Sequence, residues 1–254
     1  MSWSARQYSQ FERERTRPVR DLVAAIQVGQ PRVAVDLGCG PGNSTEVLAE
    51  RFPEAQVTGL DNAEDMLAAA RARLPALSFE MADIGNWAPD AHYDVILANA
   101  SLQWVPAHEQ LYPHLVSRLN PGGALAVQTP DNLEEPAHRL LRETAAQGPW
   151  ASKFDGFALP PRHDAAFYYR LLRGHCSEVE VWRTTYYHAL AGGPAAVVEW
   201  FKGSALRPYL ARLDEHEHSA FLAQYQAAVG QAYGQLEDGT VLLPFPRLFV
   251  LATR

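Results

Sequence analysis

Between Arg32 and Val127 the apolar positions switch repeatedly between the two-residue period of a strand and the wider period of a helix. Val33-Ala-Val-Asp36 is short, apolar and β-branched, and Leu37-Gly-Cys-Gly-Pro-Gly42 breaks it. Asn43 and Ser44 are capping residue types, and helical spacing follows from Ser44 to Arg51 until Pro53. Gln56 to Asp61 predicts the next strand. Asn62 caps a helix over Ala63 to Leu74, which Pro75 stops. Leu77 to Ala82 and Tyr93 to Ala98 predict two more strands, with His108 to Leu119 helical, Asn120 to Gly123 a turn and Ala124 to Thr129 a fifth strand. Strands separated by helices pair in parallel through right-handed crossovers, so the expected fold class is α/β, an open doubly wound sheet.

After Pro130 the pattern loosens. Glu134–Ala146 and Asp164–Arg173 are helical in spacing and flank a loop over Gly148–Pro161. Glu178 to Tyr187 alternates as a strand, placing Arg183 and Tyr187 on one face and Tyr186 and His188 on the other. Pro194–Phe201 and Asp214–Gln231 read as helices, and a last strand runs from Leu248 to Ala252. Two strands on either side of a helical stretch predict a cap inserted near the C-terminal strands.

The chain has 254 residues and is 47% hydrophobic, ample for a packed core and against disorder. Its net charge of −7 opposes a phosphate backbone, so no nucleic-acid partner is expected. Cys39 and Cys176 make neither a disulfide framework nor a metal quartet. The first apolar stretch, Val19 to Val28, carries Arg20 and Asp21, unlike a signal-peptide core, and nothing has the length of a membrane span. The expectation is a soluble cytoplasmic protein with no membrane partner. Arg6, Arg13, Arg15, Arg17 and Arg20 outnumber Glu12 and Glu14 in the first twenty residues, which suits a solvated helix face or a lid over an anion.

The sharpest chemical signal is Asp36-Leu-Gly-Cys-Gly-Pro-Gly42. Gly38, Gly40 and Gly42 after a strand let the backbone approach a ligand, and a helix N-terminus follows. A dinucleotide fingerprint wants its third glycine where Asn43 stands, and Asp36 would repel pyrophosphate. That carboxylate suits a cationic amino group instead. Asp61, at the end of the second strand, can accept from both hydroxyls of a ribose, or serve the following helix start. Asp83 after the third strand can accept from an adenine amino group, with Ile84 and Trp87 around the ring.

These residues, with Asn99 after the fourth strand, resemble the class I methyltransferases that depend on S-adenosylmethionine. Asn99-Ala-Ser-Leu-Gln-Trp104, Pro130-Asp-Asn132, Trp182 to His188, Gly203 to Pro208, Phe245 to Phe249 and Phe11 to Pro18 narrow the likeness to the trans-aconitate 2-methyltransferase family, from Trp3 to Arg254. The resemblance implies a Rossmann-like methyltransferase sheet, S-adenosylmethionine as methyl donor, a small tricarboxylate acceptor and a monomethyl ester product. It places Asp36, Gly38, Gly40 and Gly42 at the methionyl part, Asp61 at the ribose, Asp83 and Ile84 at the adenine, and Asn99 with the Ala100 backbone near the sulfonium. Tyr8 and Arg17 would close over the cofactor or hold an acid group. It also implies an N-terminal helical lid at 1–30, a cofactor-binding core at 31–130, and the rest of the sheet with its cap (189–240) at 131–254. A methyltransferase of another small acidic metabolite and a non-catalytic S-adenosylmethionine-binding protein remain the alternatives.

An acceptor carboxylate is already ionised near neutral pH, so no general base is expected and no residue is assigned a proton-transfer role. Two spectator carboxylates would need arginine-type donors. Arg17, Arg183 and Arg207 are the candidates, with Tyr186, Tyr187, His188 and Lys202 as further donors, while Arg247 suits a structural role. Gln103 and Trp104 follow the fourth strand, where such sheets bind ligands. His216-Glu-His218 lies in a run of acids at a helix start and suggests a solvated turn, so no metal is expected.

Overall fold

The computed structural model describes residues 12–160 and 162–254. Its strands are β1 (Val33–Leu37), β2 (Gln56–Asp61), β3 (Ser78–Met81), β4 (Tyr93–Asn99), β5 (Leu119–Pro130), β6 (Glu178–Leu190) and β7 (Val241–Thr253). They form one seven-stranded sheet in the order β3-β2-β1-β4-β5-β7-β6. β1 pairs in parallel with β2 and β4, β2 with β3 and β4 with β5, while β7 runs antiparallel to β5. This is the α/β sheet that the alternating periods predict and the Rossmann-like arrangement that the resemblance implies.

The helices are α1 (Glu12–Ala25), α2 (Asn43–Arg51), α3 (Glu64–Arg73), α4 (His108–Ser117), α5 (Pro136–Gln147), α6 (Ala165–Leu172), α7 (Gly193–Lys202), α8 (Arg207–Leu210) and α9 (Glu215–Ala232). Along α1 the buried positions Val19, Leu22 and Val23, continued by Ile26 just beyond its end, recur at helical spacing, which gives that helix its apolar stripe. On its solvent side Arg17 Nε pairs with Asp21 at 2.9 Å and Arg20 with Glu50 at 3.4 Å. The arginines described there are therefore partnered on a solvated face. None of the helices is long and apolar enough to cross a membrane, among the described residues.

The chain divides into two compact units. The first holds the described residues up to Pro130, those of Pro160–Thr184, and Arg247–Arg254. Its core is the buried centre of the sheet, with Val35, Leu37, Ile96, Ala98, Leu125, Val127 and Val250 meeting Leu111, Tyr112 and Leu115 of α4. The second holds Asp131–Leu159 and Thr185–Pro246. There Trp150 packs edge-on against Phe221 with ring centres 5.2 Å apart, and its Nε1 donates to the Thr144 carbonyl. Tyr225 and Tyr233 bracket the start of α5 by bonding the Ala137 carbonyl and amide. Asp214 and Glu217 form a reciprocal capping box on α9, joined by Lys153, and His218 bonds the Leu210 carbonyl. The His216–His218 stretch is thus a helix start.

Several boundaries differ from the sequence expectation for identifiable reasons. β7 begins at Val241 rather than Leu248, because Pro244 and Pro246 fall outside the ladder with β5, which ends at Arg247 opposite Pro130. The expected turn at Asn120–Gly123 lies inside β5, beside a register irregularity between Tyr93 and Val95. Arg207 and Pro208 open the short helix α8. Gly42, in the left-handed region, caps α2, so Ser44 is released from the capping expected of it. Ala63 rather than Asn62 is the cap of α3.

At the opposite end of β1, Asp94 Oδ2 accepts from the amides of Arg32 and Val33 at 2.7 and 3.1 Å, and Oδ1 from Asn120 Nδ2 at 2.7 Å. Burial alone would raise its pKa, but Asn120 and the two amides outweigh it and hold the carboxyl below its ordinary value. Such a group stabilises the fold above its unfolded pKa and loses that contribution as the pH falls through its folded one. Asp94→Ala is expected to destabilise by about 1–3 kcal/mol at neutral pH, because it strands three donors. Thermal melts at pH 7 and in acid should show the gap to wild type narrowing with acidity.

Candidate active site

The strand order reverses at β1: β2 and β3 extend to one side of it, β4 and β5 to the other. In such sheets the carboxyl ends of the two strands at the reversal border a crevice. Six of the cofactor residues singled out from sequence, Asp36, Gly38, Gly40, Gly42, Asn99 and Ala100, lie at the carboxyl ends of β1 and β4 or on the segments leaving them.

After β1 the amides of Gly38 and Cys39 both donate to the Leu60 carbonyl, at 2.7 and 2.9 Å. A Cβ on Gly38 would stand 2.4 Å from Ser101 Cβ, so only glycine lets the two loops meet. Gly40 (φ +53) is different: nothing lies within 4 Å of where its Cβ would be, which leaves room for a ligand against bare backbone. Cys39 is buried, and burial pushes its thiol well above the ordinary range, so it is a packing residue.

Asp36 is fully buried. Its Oδ2 accepts from Ser44 Oγ and Thr45 Oγ1, both at 2.7 Å, while Oδ1 has no protein partner. Burial and, to a lesser degree, the nearby Asp61 charge outweigh the lowering by the two hydroxyls and raise its pKa to about 6. Asp61 Oδ2 accepts from the Gly40 amide at 2.9 Å and Oδ1 from the Ala63 amide at 3.0 Å. It therefore ties the glycine loop to the start of α3, and each oxygen keeps a second lone pair.

Asp83 turns the chain after β3, accepting from the Gly85 amide and from Asn86 Nδ2. Ile84 Cδ1 comes within 3.4 Å of the Gly38 Cβ position, which joins this turn to the same crevice.

From β4, Asn99 presents a buried Oδ1 without a protein partner. Ala100 sits in the left-handed region at φ 55, its amide donating to the Gln128 carbonyl at 2.8 Å and its carbonyl accepting from Gln103 Nε2 at 2.7 Å. A non-glycine residue held there carries strain that its surroundings must over-determine. Ser101 Oγ closes the loop onto the Leu37 carbonyl at 2.6 Å. Gln103 is buried with its Oε1 unpartnered, as is the Oδ1 of Asn43 on the first turn of α2.

Four buried acceptor oxygens thus stand on these two loops without donors: those of Asp36, Asn43, Asn99 and Gln103. Buried acceptors are costly unless matched, so the arrangement calls for a ligand bearing several N–H donors and positive charge. The ammonium end of S-adenosylmethionine is a group of that kind.

The remaining sequence candidates lie as follows. Trp104 is 48% exposed and adjoins Arg162, whose guanidinium carbon lies 5.8 Å from its ring centre. Arg17 is a surface residue paired with Asp21. Arg183 and Tyr187 fall on the exposed face of β6, and Tyr186 and His188 on the more buried face. Within the second unit, Arg207 opens α8, Lys202 pairs with Glu199, and His188 stacks on Trp200 at 4.4 Å. Arg247 is buried, donating to Gln128 Oε1 at 2.7 Å. Tyr8 lies outside the described residues. Sequence reading missed Asn43, passed over as a misplaced glycine, and Arg162, which sits in an aperiodic proline loop with no local signal.

A methyltransferase-domain family model matches residues 34–123. The chain is 50% identical to the trans-aconitate 2-methyltransferase of Methylobacterium nodulans, across 99% of this chain and 98% of that protein. It belongs to the trans-aconitate 2-methyltransferase family. The family enzyme of an Azoarcus species is 48% identical over 100% of this chain and 99% of its own. Among solved structures, the YcgJ protein of Bacillus subtilis superposes with a TM-score of 0.60 over 93% of this chain and 97% of its own, at 10% identity, and so shares the fold.

An acid whose pKa rises on folding binds its proton more tightly in the folded chain, so between its ordinary value of 3.8 and about 6 the ligand-free protein loses stability as pH rises. Asp36→Asn is therefore expected to raise the melting temperature of the ligand-free protein at pH 7.5, by about 1–3 kcal/mol of stability, the gain closing as pH falls through 6 to 4. The same substitution should weaken S-adenosylmethionine binding about 10- to 100-fold by calorimetry, since one charge-assisted bond is lost. A variant that is no more stable at pH 7.5 and binds normally would remove Asp36 from the site.

Proposed function

We propose that this protein transfers the methyl group of S-adenosylmethionine to a carboxylate of trans-aconitate, releasing the monomethyl ester and S-adenosylhomocysteine. The acceptor is carried by one observation: the near-half identity to family enzymes runs through the whole chain, well beyond the methyltransferase domain at 34–123. Support for the donor comes from the four unmatched acceptor oxygens and the open Gly40 backbone. The free thiols Cys39 and Cys176 accord with a reducing, cytoplasmic setting.

In this reading Asp36, with Asn43 beside it, receives the ammonium group, Asp61 the ribose hydroxyls, and Asp83 with Ile84 the adenine. Asn99 and the Ala100 backbone border the sulfonium. When bound, S-adenosylmethionine supplies an electrophilic methyl group on a sulfonium centre. The protein's task is then to align an ionised oxygen with that methyl group and to keep water from both. No side chain has to remove a proton, because model carboxylates are ionised at neutral pH. Orientation of this kind supplies about 7–11 kcal/mol in well-arranged intramolecular reactions. Strain at Ala100, fixed by Gln103 and Gln128, suits that role, since it sets the loop before the ligands arrive.

The deciding experiment is methyl transfer from labelled S-adenosylmethionine to trans-aconitate, cis-aconitate, isocitrate and citrate, read by mass spectrometry. A rapid monomethyl ester from trans-aconitate, with little from the others, is the expected result. Tight donor binding with no transfer to any of them would leave the fold and overturn the acceptor.

A further inference from the structure

The residues considered so far at the β1–β4 crevice supply acceptors, which suit the cationic donor and would repel a trianion. A tricarboxylate must find fixed positive charge close to the same loop. The guanidinium of Arg162 stands there. Its Nη1 donates to the Gln103 carbonyl and to the Pro160 carbonyl, both at 3.2 Å, and its carbon lies over the Trp104 ring at 5.8 Å. Gln103 in turn bonds the carbonyl of strained Ala100 at 2.7 Å, and Ala100 stands between Asn99 and Ser101 in the chain. The charge is therefore built into the loop that borders the acceptor oxygens, through backbone carbonyls that no side-chain motion of Gln103 can withdraw.

We propose that Arg162 binds a spectator carboxylate of the acceptor, with the Trp104 ring as the wall beside it, and so sets which carboxylate is presented for methylation. This rests on the reading of the protein as a methyltransferase of trans-aconitate. Several features point the same way. The guanidinium fork matches a planar carboxylate in two parallel bonds, which an ammonium does not. An arginine held by carbonyls and an aromatic face is oriented before the anion arrives, so little side-chain freedom is lost on binding. Trp104, 48% exposed despite its size, offers a flat surface suited to the conjugated plane of an unsaturated acid. Arg17 is paired with Asp21 on the surface. The adjoining His163 stacks on Phe167 at 3.8 Å and lies 5.3 Å from the ring of His108, which bonds the Leu102 carbonyl at 2.9 Å, so the segment carrying Arg162 is held to the β4 loop from a second side.

The test uses Arg162→Leu and Arg162→Lys with four acceptors: trans-aconitate and three dicarboxylates, itaconate, mesaconate and glutaconate, each lacking a different one of its carboxylates. For trans-aconitate, Arg162→Leu should lower kcat/KM on the order of 100-fold, with Arg162→Lys intermediate. Its affinity for S-adenosylhomocysteine, measured by calorimetry, should stay near that of wild type, and trans-aconitate binding to that complex should weaken in parallel with kcat/KM. For one dicarboxylate, the one missing the carboxylate that Arg162 holds, the wild type and Arg162→Leu should be equal. A substitution that merely loosens the loop would depress all four acceptors alike, and that result overturns the proposal. Wild-type methylation of trans-aconitate that survives Arg162→Leu unchanged overturns the proposal while leaving the proposed function intact. Failure of the wild type to bind or methylate any of the four overturns both.

Discussion

Burying the Asp36 carboxylate at the end of β1 is the constraint around which the rest of the site is arranged. Desolvation would favour protonation, and the two hydroxyls from α2 offset that on one oxygen only. The other oxygen is buried without a donor, with the Asp61 carboxylate near enough to add repulsion. Asp36 and Asp61, with the unpartnered oxygens of Asn43, Asn99 and Gln103, leave this end of the sheet rich in acceptors and poor in donors. In the function proposed above, a cationic group bound there relieves an existing cost rather than creating a new contact on a neutral surface. This also explains why α2 starts as it does: Gly42 takes the capping position, and Ser44 and Thr45 turn inward to hold the acid.

Order at the second loop comes from the backbone. Ser101 reaches the Leu37 carbonyl, Ala100 is held between Gln128 and Gln103, and Gly38 has no Cβ to keep Ser101 away. The loops after β1 and β4 are therefore one interlocked piece. Movement of either would disturb the other, and the strain at Ala100 persists because bonds on both its sides oppose relaxation.

Much of the fold was legible because burial in this sheet follows the periods that residues such as Val33–Asp36 and Tyr93–Ala98 display openly. Pro244 and Pro246 concealed the first half of β7, since a strand that carries them must lie beyond its neighbour's ladder, a fact of register rather than of local pattern. Asp36 and the glycines were visible because their chemistry is packed into a few consecutive residues, and Asp61 because it ends the next strand. Arg162 was not, because its position beside Gln103 and Trp104 arises from a contact across 59 residues of chain. Arg183 and Tyr187 illustrate the reverse: alternation placed them correctly on one face, but only the packed sheet reveals that this face is turned to solvent.

The strand order carries a consequence for how the chain is made. β7 is last in sequence of the seven strands, yet it lies between β5 and β6. During synthesis β5 can pair with β4 as soon as it emerges, but its other edge stays open while the whole second unit is translated, until residues 247–253 follow. That edge is the apolar run Leu125–Val127, the sort of surface that recruits a stray strand. A nascent chain of this protein therefore passes through a prolonged interval in which its sheet is sticky and incomplete, and demand for chaperones, or loss to aggregation, should concentrate in that interval rather than after release.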